Sequence, residues 1–255
     1  MVKKVCYNRG MKISSKANPM IKQSKKLLQK KYRTDSYLIE GWHLFEEAKK
    51  AQASFLHIFV VEDCVDRVAT DDKVIVVTPE VLKELTDSPT PQGIVAEVKQ
   101  EKPDLPSIGK GKYLLLEDVQ DPGNLGTMIR TADAAGFDGV LLSEKSADVF
   151  NQKTLRSMQG SHYHIPVWRT DVYAFCRTMK TKEMPILATT LSDQSIDYKQ
   201  VGTLTDFILV MGNEGQGISP KMAELSSQLV HISMPGQAES LNVAVAAGIL
   251  IFSLI

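Results

Sequence analysis

Three short stretches of the chain gather polar residues and glycines in patterns suited to holding a ligand by hydrogen bonds. In the first, residues 114–130, an apolar run ends at Glu117 and Asp121-Pro122-Gly123 spells a turn. Asn124 then stands where the cap of a following helix belongs. Asn124 and Gly126 would sit at the C-terminal end of a strand, the usual ligand-binding edge of an open α/β sheet, and glycine lets a backbone or ligand approach closely. Arg130 falls off the apolar stripe of Leu125, Met128, Ile129 and Ala132; read alone, it is a surface arginine with an ion-pair partner. The second stretch, residues 207–220, runs from an apolar strand into Gly212-Asn213-Glu214-Gly215-Gln216-Gly217, then Ser219-Pro220, a cap with proline at the first helical position. No Gly-Lys-Ser/Thr follows and the glycines are not spaced G-x-G-x-x-G, so ATP and NAD fit poorly. Glu214 among three glycines is either turn chemistry or a ligand-facing group. In the third stretch Ser240 and Asn242 flank Leu241 where an apolar helix begins. Capping and ligand binding are compatible there, because a helix N-terminus offers free N–H groups.

Other residues offer less. His162 and His164 form an H-x-H pair with no third ligand nearby in sequence, so surface or ligand-contact histidines are expected and no metal. Cys6, Cys64 and Cys176 are odd in number and widely spaced, which fits a reducing cytoplasm rather than a disulfide framework or zinc site. Zero net charge hides an asymmetry. Residues 1–34 hold 11 basic residues and no acid, leaving 19 basic against 30 acidic residues in the remainder. Such an arm is either a solvated lysine-rich face or a surface for a polyanion such as nucleic acid, with Lys22, Lys25, Lys26, Lys30 and Arg33 the candidates for that contact. Tyr32, Tyr37 and Trp42 beside it could stack on bases, with core packing the default for the tryptophan. No signal peptide is visible, and the apolar run 241–255 is shorter than the roughly 18–20 residues of a membrane span.

Two sets of elements must position these residues. Helical patterns at 21–29, 44–51 and 79–85 alternate with strand patterns at 37–39, 55–61, 74–77 and 92–98, a small α/β unit over residues 1–99. Pro103, Pro106, Gly109 and Gly111 mark a linker at 100–111. Beyond it, over 112–255, continuous apolar runs at 113–116, 139–142, 185–188, 207–211 and 230–232 predict buried strands of a parallel sheet. Helices are expected between and after them at 125–135, 172–181, 220–226 and 243–254.

Taken together, Asn124-x-Gly126-x-x-x-Arg130, Gly212-x-Glu214-x-x-Gly217 and Ile232-x-Met234 … Ser240-Leu241-Asn242-Val243 resemble, in order, the three motifs of the SpoU-type (TrmH-like) RNA 2′-O-methyltransferases of the SPOUT class. Arg156-Ser157 and Gly160 before Ile165-Pro166-Val167 resemble that family's intervening segment. Ile13-x-Ser15-x-x-Asn18-Pro19, Arg33 and Ile39-Glu40-Gly41 resemble a small RNA-binding domain related to a kink-turn-binding ribosomal protein. Ser233 where proline is usual, Pro235 after Met234 and Ala244 in place of a frequent serine depart from the pattern.

The resemblance implies an α/β fold with a deep trefoil knot in the C-terminal domain and a homodimer packed through the terminal helix. It implies S-adenosyl-L-methionine as cofactor, lined by Thr189, Thr190, Leu209, Val210, Met211, Gly212, Ile232, Met234 and Leu241, largely through backbone groups. It makes Arg130 the residue that engages the RNA and activates a ribose 2′-hydroxyl, with Asn124, Glu214, Ser240 and Asn242 holding the arrangement. Arginine normally stays protonated, so orientation beside a phosphate suits Arg130 better than proton removal. The 2′-hydroxyl exists only in RNA, which excludes DNA. Ribosomal RNA is the expected substrate, with tRNA, or a non-catalytic RNA-binding or ribosome-assembly role on the same fold, as alternatives.

Overall fold

The computed structural model describes residues 12–68, 71–105 and 109–255. Lys3, Lys4 and Arg9 of the basic arm, Cys6 and Pro106 of the linker lie outside the described residues. The chain divides into two compact units: one reaches to Glu101 and takes in Phe150–Arg156, and the other comprises Lys102–Val149 and Ser157–Ile255.

The first unit is built on α1 (Pro19–Lys26), β1 (Ser36–Glu40), α2 (Trp42–Lys50), β2 (Phe55–Val61), β3 (Val74–Val77), α3 (Pro79–Leu82) and β4 (Ile94–Lys99). Its sheet has the order β1-β4-β2-β3, antiparallel except for the β2–β3 pair. Ile21, Leu38, Phe59, Val81, Leu85 and Val95 form its core. Each such side chain removed from water contributes about 1.5–3 kcal/mol. Helix α1 starts two residues earlier than its apolar spacing suggests, because Asn18 accepts a hydrogen bond from Met20 N (2.9 Å) and Pro19 takes the first position. It stops at Lys26 rather than at residue 29. Leu27 N bonds back to Ser24 O, and Arg33 Nη1 donates to Leu27 O at 2.6 Å. Thr78 and Pro79 open α3 as their types suggest.

The second unit contains β5 (Lys112–Leu116), α4 (Pro122–Ala134), β6 (Gly139–Leu142), β7 (Val167–Arg169), α6 (Val172–Thr181), β8 (Ile186–Thr189), β9 (Ile196–Asp197), β10 (Phe207–Met211), α7 (Pro220–Leu225), β11 (Gln228–His231) and α8 (Val243–Ser253); α5 (Gln152–Met158) lies in sequence between β6 and β7. Its seven strands run in the order β7-β6-β5-β10-β8-β11-β9, and every neighbouring pair is parallel. All seven C-terminal ends therefore open on one edge, where loops carry ligand-binding groups in such sheets. The central strands β5, β6 and β10 are almost wholly buried, which explains their uninterrupted apolar sequence. The edge strands β7 and β9 have three and two residues, too few to display a period, and sequence reading passed over them and over α5. Among the described residues no helix is long and apolar enough to cross a membrane.

Candidate active site

The three polar stretches meet at this edge. Helix α4 is capped by Asp121, whose carboxylate accepts from Asn124 N at 2.8 Å. This corrects the expectation that Asn124 caps the helix: Asp-Pro is the stronger start signal, so Asn124 falls in the first turn with its side-chain amide uncommitted. That amide becomes the centre of a relay. Its Nδ2 donates to Glu214 Oε1 (3.2 Å), and its Oδ1 accepts from Asn242 Nδ2 (3.1 Å). Asn242 in turn caps α8, its Oδ1 accepting from Ala244 N (2.9 Å) and Val245 N (3.3 Å). Glu214 also accepts from Asp121 N (2.9 Å) and Gln120 N (3.1 Å). Burial pushes its carboxyl pKa up, but these backbone donors and the Asn124 amide outweigh it and hold the group below the ordinary carboxylate range. Glu214 is thus an ion that accepts from three donors and clamps the 120–124 turn.

The loop bearing Glu214 is closed on itself. Asn213 and Gly217 exchange two backbone hydrogen bonds of 2.9 Å. The Asn213 side chain accepts from Gly215 N and Gln216 N and donates to Asp118 O (2.9 Å). A Cβ at Gly212 would lie 2.2 Å from the Gly217 carbonyl carbon, so the loop folds over a position that admits only glycine. On the other side of the turn, Ser143 Oγ bonds both to Asp118 N (2.8 Å) and to Asp118 Oδ1 (2.7 Å). Arg169 secures the loop of Ser143 by donating to the carbonyls of Ser143, Glu144, Ser146 and Ala147.

Not every expected residue joins the relay. Arg130 lies six residues beyond Asn124 on α4, about 9 Å along the helix axis. It is exposed and makes no hydrogen bond or ion pair with the described residues, which corrects the expectation of an acidic partner. Ser240 is exposed and caps nothing; Asn242 alone caps α8. Gly126 is buried within α4.

The expected cofactor-lining residues cluster at the ends of β8, β10 and β11. Leu209, Val210 and Met211 are buried between β5 and β8, and their backbone is largely spent: Glu117 N takes Met211 O and Thr189 Oγ1 takes Val210 O. Thr190 N donates to Val230 O. By contrast, the backbone of residues 234–241 makes no hydrogen bond with the described residues, and it runs beside the apolar side chains of Met234 and the exposed Leu241. These free N–H and C=O groups, flanked by Met234 and Leu241, can take the polar groups of a ligand, so this segment and Gly212 fit S-adenosylmethionine. Ser233, where proline is usual, donates its N–H to Asp197 (3.3 Å), and the nearby Ser233 hydroxyl and the Lys199 N–H help hold that carboxyl below its normal range. Proline has no N–H and could not do so. Ala244 is buried in the first turn of α8, and nothing in the structure distinguishes it from serine there.

Sequence reading missed Glu117, taken there only as a strand end. It is 2% exposed, and accepts from Tyr173 Oη (2.7 Å), Ser219 Oγ (2.6 Å) and Ser219 N (2.9 Å). Its one sequence signal was an acid closing an otherwise apolar run.

The histidine pair separates. His164 meets Asp133 at 3.0 Å. His162 stacks on Tyr163 and is half-buried, and burial holds its imidazole down to about 3. No group of three or more His, Cys, Asp or Glu residues is placed to hold a metal among the described residues.

In the first unit the basic candidates also divide. Lys22 and Lys30 are exposed and without partners among the described residues, and Lys26 and Lys31 lie 5.8 and 4.9 Å from the ring of exposed Tyr32. Lys25 pairs with Glu84, as does Lys16, and together they hold that carboxyl down to about 2. Arg33 serves the end of α1. Arg156 pairs with Asp87 at 2.5 Å. Tyr37 is buried, and Trp42 donates to Gln92 O with Arg67 over its ring, so Tyr32 alone of the three aromatics presents an exposed ring.

Residues 111–252 match the model of the SpoU rRNA Methylase family, and residues 18–96 that of the MRM3-like substrate binding domain. Among curated proteins, the chain is 41% identical over 248 residues to the 23S rRNA (guanosine(2553)-2′-O)-methyltransferase RlmP of Bacillus subtilis, covering 95% of this chain and 98% of that one. Among solved structures, an AdoMet-bound rRNA methyltransferase from Sinorhizobium meliloti superposes with a TM-score of 0.85 at 33% identity, over 95% of this chain and 96% of that one. The SpoU methyltransferase AviRb from Streptomyces viridochromogenes, in complex with AdoMet, gives 0.81 at 27% identity, over 92% and 96% of the two chains.

Proposed function

We propose that this chain, which belongs to the SpoU rRNA methylase family, methylates a ribose 2′-hydroxyl of ribosomal RNA with S-adenosylmethionine as donor. The observation that carries the reading is the relay Glu214–Asn124–Asn242, which joins three sequence-distant stretches at one sheet edge. Likeness to the Bacillus subtilis and Sinorhizobium meliloti proteins over nearly the whole chain supports ribosomal RNA and the cofactor.

When bound, the cofactor supplies a methyl group activated on a sulfonium. The chain's own residues align and shield. The free backbone of residues 234–241, with Gly212, Ile232, Met234 and Leu241, would hold the donor, and Thr189, Thr190 and the buried end of β10 would support them. The relay fixes the first turn of α4, and through it the orientation of the helix that carries Arg130. Arg130, a permanent cation without a partner among the described residues, would meet the phosphate beside the target ribose and orient the 2′-hydroxyl. Glu214 keeps its carboxylate for positioning. Ser240, exposed beside the relay, is assigned to contact with the RNA or the donor. The first unit would bind RNA through Lys22, Lys26 and Lys30, with Tyr32 available for stacking.

We also infer a homodimer through α8, supported by the exposed apolar side chains of Val245, Phe252 and Ile255. The family's deep knot is inferred with it, supported by the return of the chain beyond β11 to pack α8 on α4. A cytoplasmic setting is consistent with the free Cys64 and Cys176.

The test is tritiated S-adenosylmethionine with ribosomal and transfer RNA from a strain lacking the gene, followed by nucleoside mapping. Label in a 2′-O-methylnucleoside of ribosomal RNA is expected, and Arg130→Ala should abolish it without shifting the melting temperature. Label on a base, or none, would sink the reading; label in tRNA alone would move the substrate.

A further inference from the structure

Glu117 is a buried carboxylate that the proposed reaction does not use. All of its side-chain partners are neutral: Tyr173 Oη on α6, and the hydroxyl and N–H of Ser219. Burying an anion without a cation is costly unless hydrogen bonds compensate, and one buried acid with three donors invites the question of what it holds. Ser219 is the cap of α7, its Oγ accepting from Met222 N at 3.1 Å, and it closes the glycine loop that begins at Gly212. The backbone of Glu117 grips the other end of the same loop, since its N–H donates to Met211 O at 2.9 Å. One residue therefore clasps both ends of the segment that carries Glu214, while the loop's exposed tip has only Asn213 and Glu214 to tie it to the turn.

From this geometry we propose that Glu117 is a positioning residue for the active site: it latches the 212–219 loop so that Glu214 reaches the backbone of Gln120 and Asp121 and the amide of Asn124. The inference rests on the methyltransferase reading, and its consequence is specific. Glu117 acts through Glu214, so its loss matters only while Glu214 is present. A purely structural role would reduce the folded or active fraction by the same factor in either background.

The experiment is a double-mutant cycle in the full chain with Glu117→Gln and Glu214→Gln, read by turnover at saturating S-adenosylmethionine on ribosomal RNA. Replacing one carboxylate oxygen by an amide nitrogen leaves the Ser219 N–H facing a donor, or forces the two hydroxyls to turn from donating to accepting, with Ser219 Oγ already accepting from Met222 N. Each single variant is expected to lose about tenfold or more in kcat, the scale of a broken charged hydrogen bond. The double variant should lie within about threefold of the worse single variant. Multiplying losses would overturn the latch, as would a Glu214→Gln variant of full activity. Tyr173→Phe and Ser219→Ala, which each remove one donor and keep the charge, serve if Glu117→Gln does not fold; they must slow the wild type and leave Glu214→Gln unchanged.

Amide hydrogen exchange supplies a readout independent of turnover. The N–H groups of Gln120 and Asp121 donate to Glu214, so they should exchange faster in Glu117→Gln, along with Gly215 and Gln216. Unchanged exchange at these four amides would overturn the proposal even in an active enzyme. Faster exchange in a protein that methylates no RNA would preserve the latch and remove the reading on which its purpose rests.

Discussion

Gly212→Ala offers a sharp test of how the glycine loop is built. The added Cβ would stand 2.2 Å from the Gly217 carbonyl carbon, 2.3 Å from Ile218 N and 2.4 Å from Gly217 O. All three are backbone atoms, so no side chain can swing aside. Reaching ordinary contact at 3.4 Å requires the two limbs of the loop to part by at least about 1.2 Å. Such a movement breaks the paired Asn213–Gly217 hydrogen bonds and carries Glu214 out of range of Gln120, Asp121 and Asn124, whose present distances are 2.9–3.2 Å. Overpacking of this kind costs about 2–3 kcal/mol. In a chain of this size that lowers the melting temperature by about 4–12 °C. A misplacement of about 1 Å at the reacting groups costs about a hundredfold in turnover. Differential scanning fluorimetry and the tritium assay on the same preparation measure both quantities. A Gly212→Ala protein that melts within 1 °C or so of wild type and keeps a third of its turnover would refute the close-packed loop.

Three further outcomes follow from the charges. Neutralising Lys22, Lys26 and Lys30 together should weaken RNA binding and lower the salt slope of log K by about 2–3, while cofactor binding measured by calorimetry stays the same. Lys25→Ala and Arg33→Ala should instead lower thermal stability, since those groups serve Glu84 and Leu27 O; an equal loss of salt slope from Lys25→Ala would refute the division. Burial holds His162 at about 3 against 6.5 for a free histidine, with nearby His164 adding to the effect. A folded-state value below the unfolded one means its contribution to stability is complete above about pH 6.5 and is lost as pH falls from there toward 3. His162→Gln should flatten the fall in melting temperature between pH 6.5 and 4; an unchanged slope would assign that loss to other groups.

Much of the sheet was legible in the sequence because its central strands are buried on both faces. The runs at 113–116, 139–142 and 207–211 are apolar without interruption, and parallel pairing under helices demands that composition. Start signals were equally clear where a side chain bonds within its own turn: Thr78-Pro79 and Ser219-Pro220 open α3 and α7 as their types require. The order of the three motifs, the basic arm and the resemblance to one family also needed no coordinates. At Asp121-Pro122-Gly123-Asn124 the local signal was ambiguous between two capping residues, and the wrong one was read.

The tertiary structure decided which polar groups meet. Asn124 lies 90 residues from Glu214 and 118 from Asn242, and Glu117 lies 102 residues from Ser219. No period or propensity encodes a hydrogen bond across such separations; it exists because the parallel order β5-β10-β8-β11 brings those strand ends to one edge. The same holds for the lysines, which are identical in type. Lys25 is spent on Glu84 and Lys22 is not, because packing sets α3 and its neighbouring turn beside one face of α1 only. Residue types and their order thus determined the class of chemistry, and the approach of distant backbones assigned each group its partner. Arg130, left without one among the described residues, is the cation we propose for the substrate.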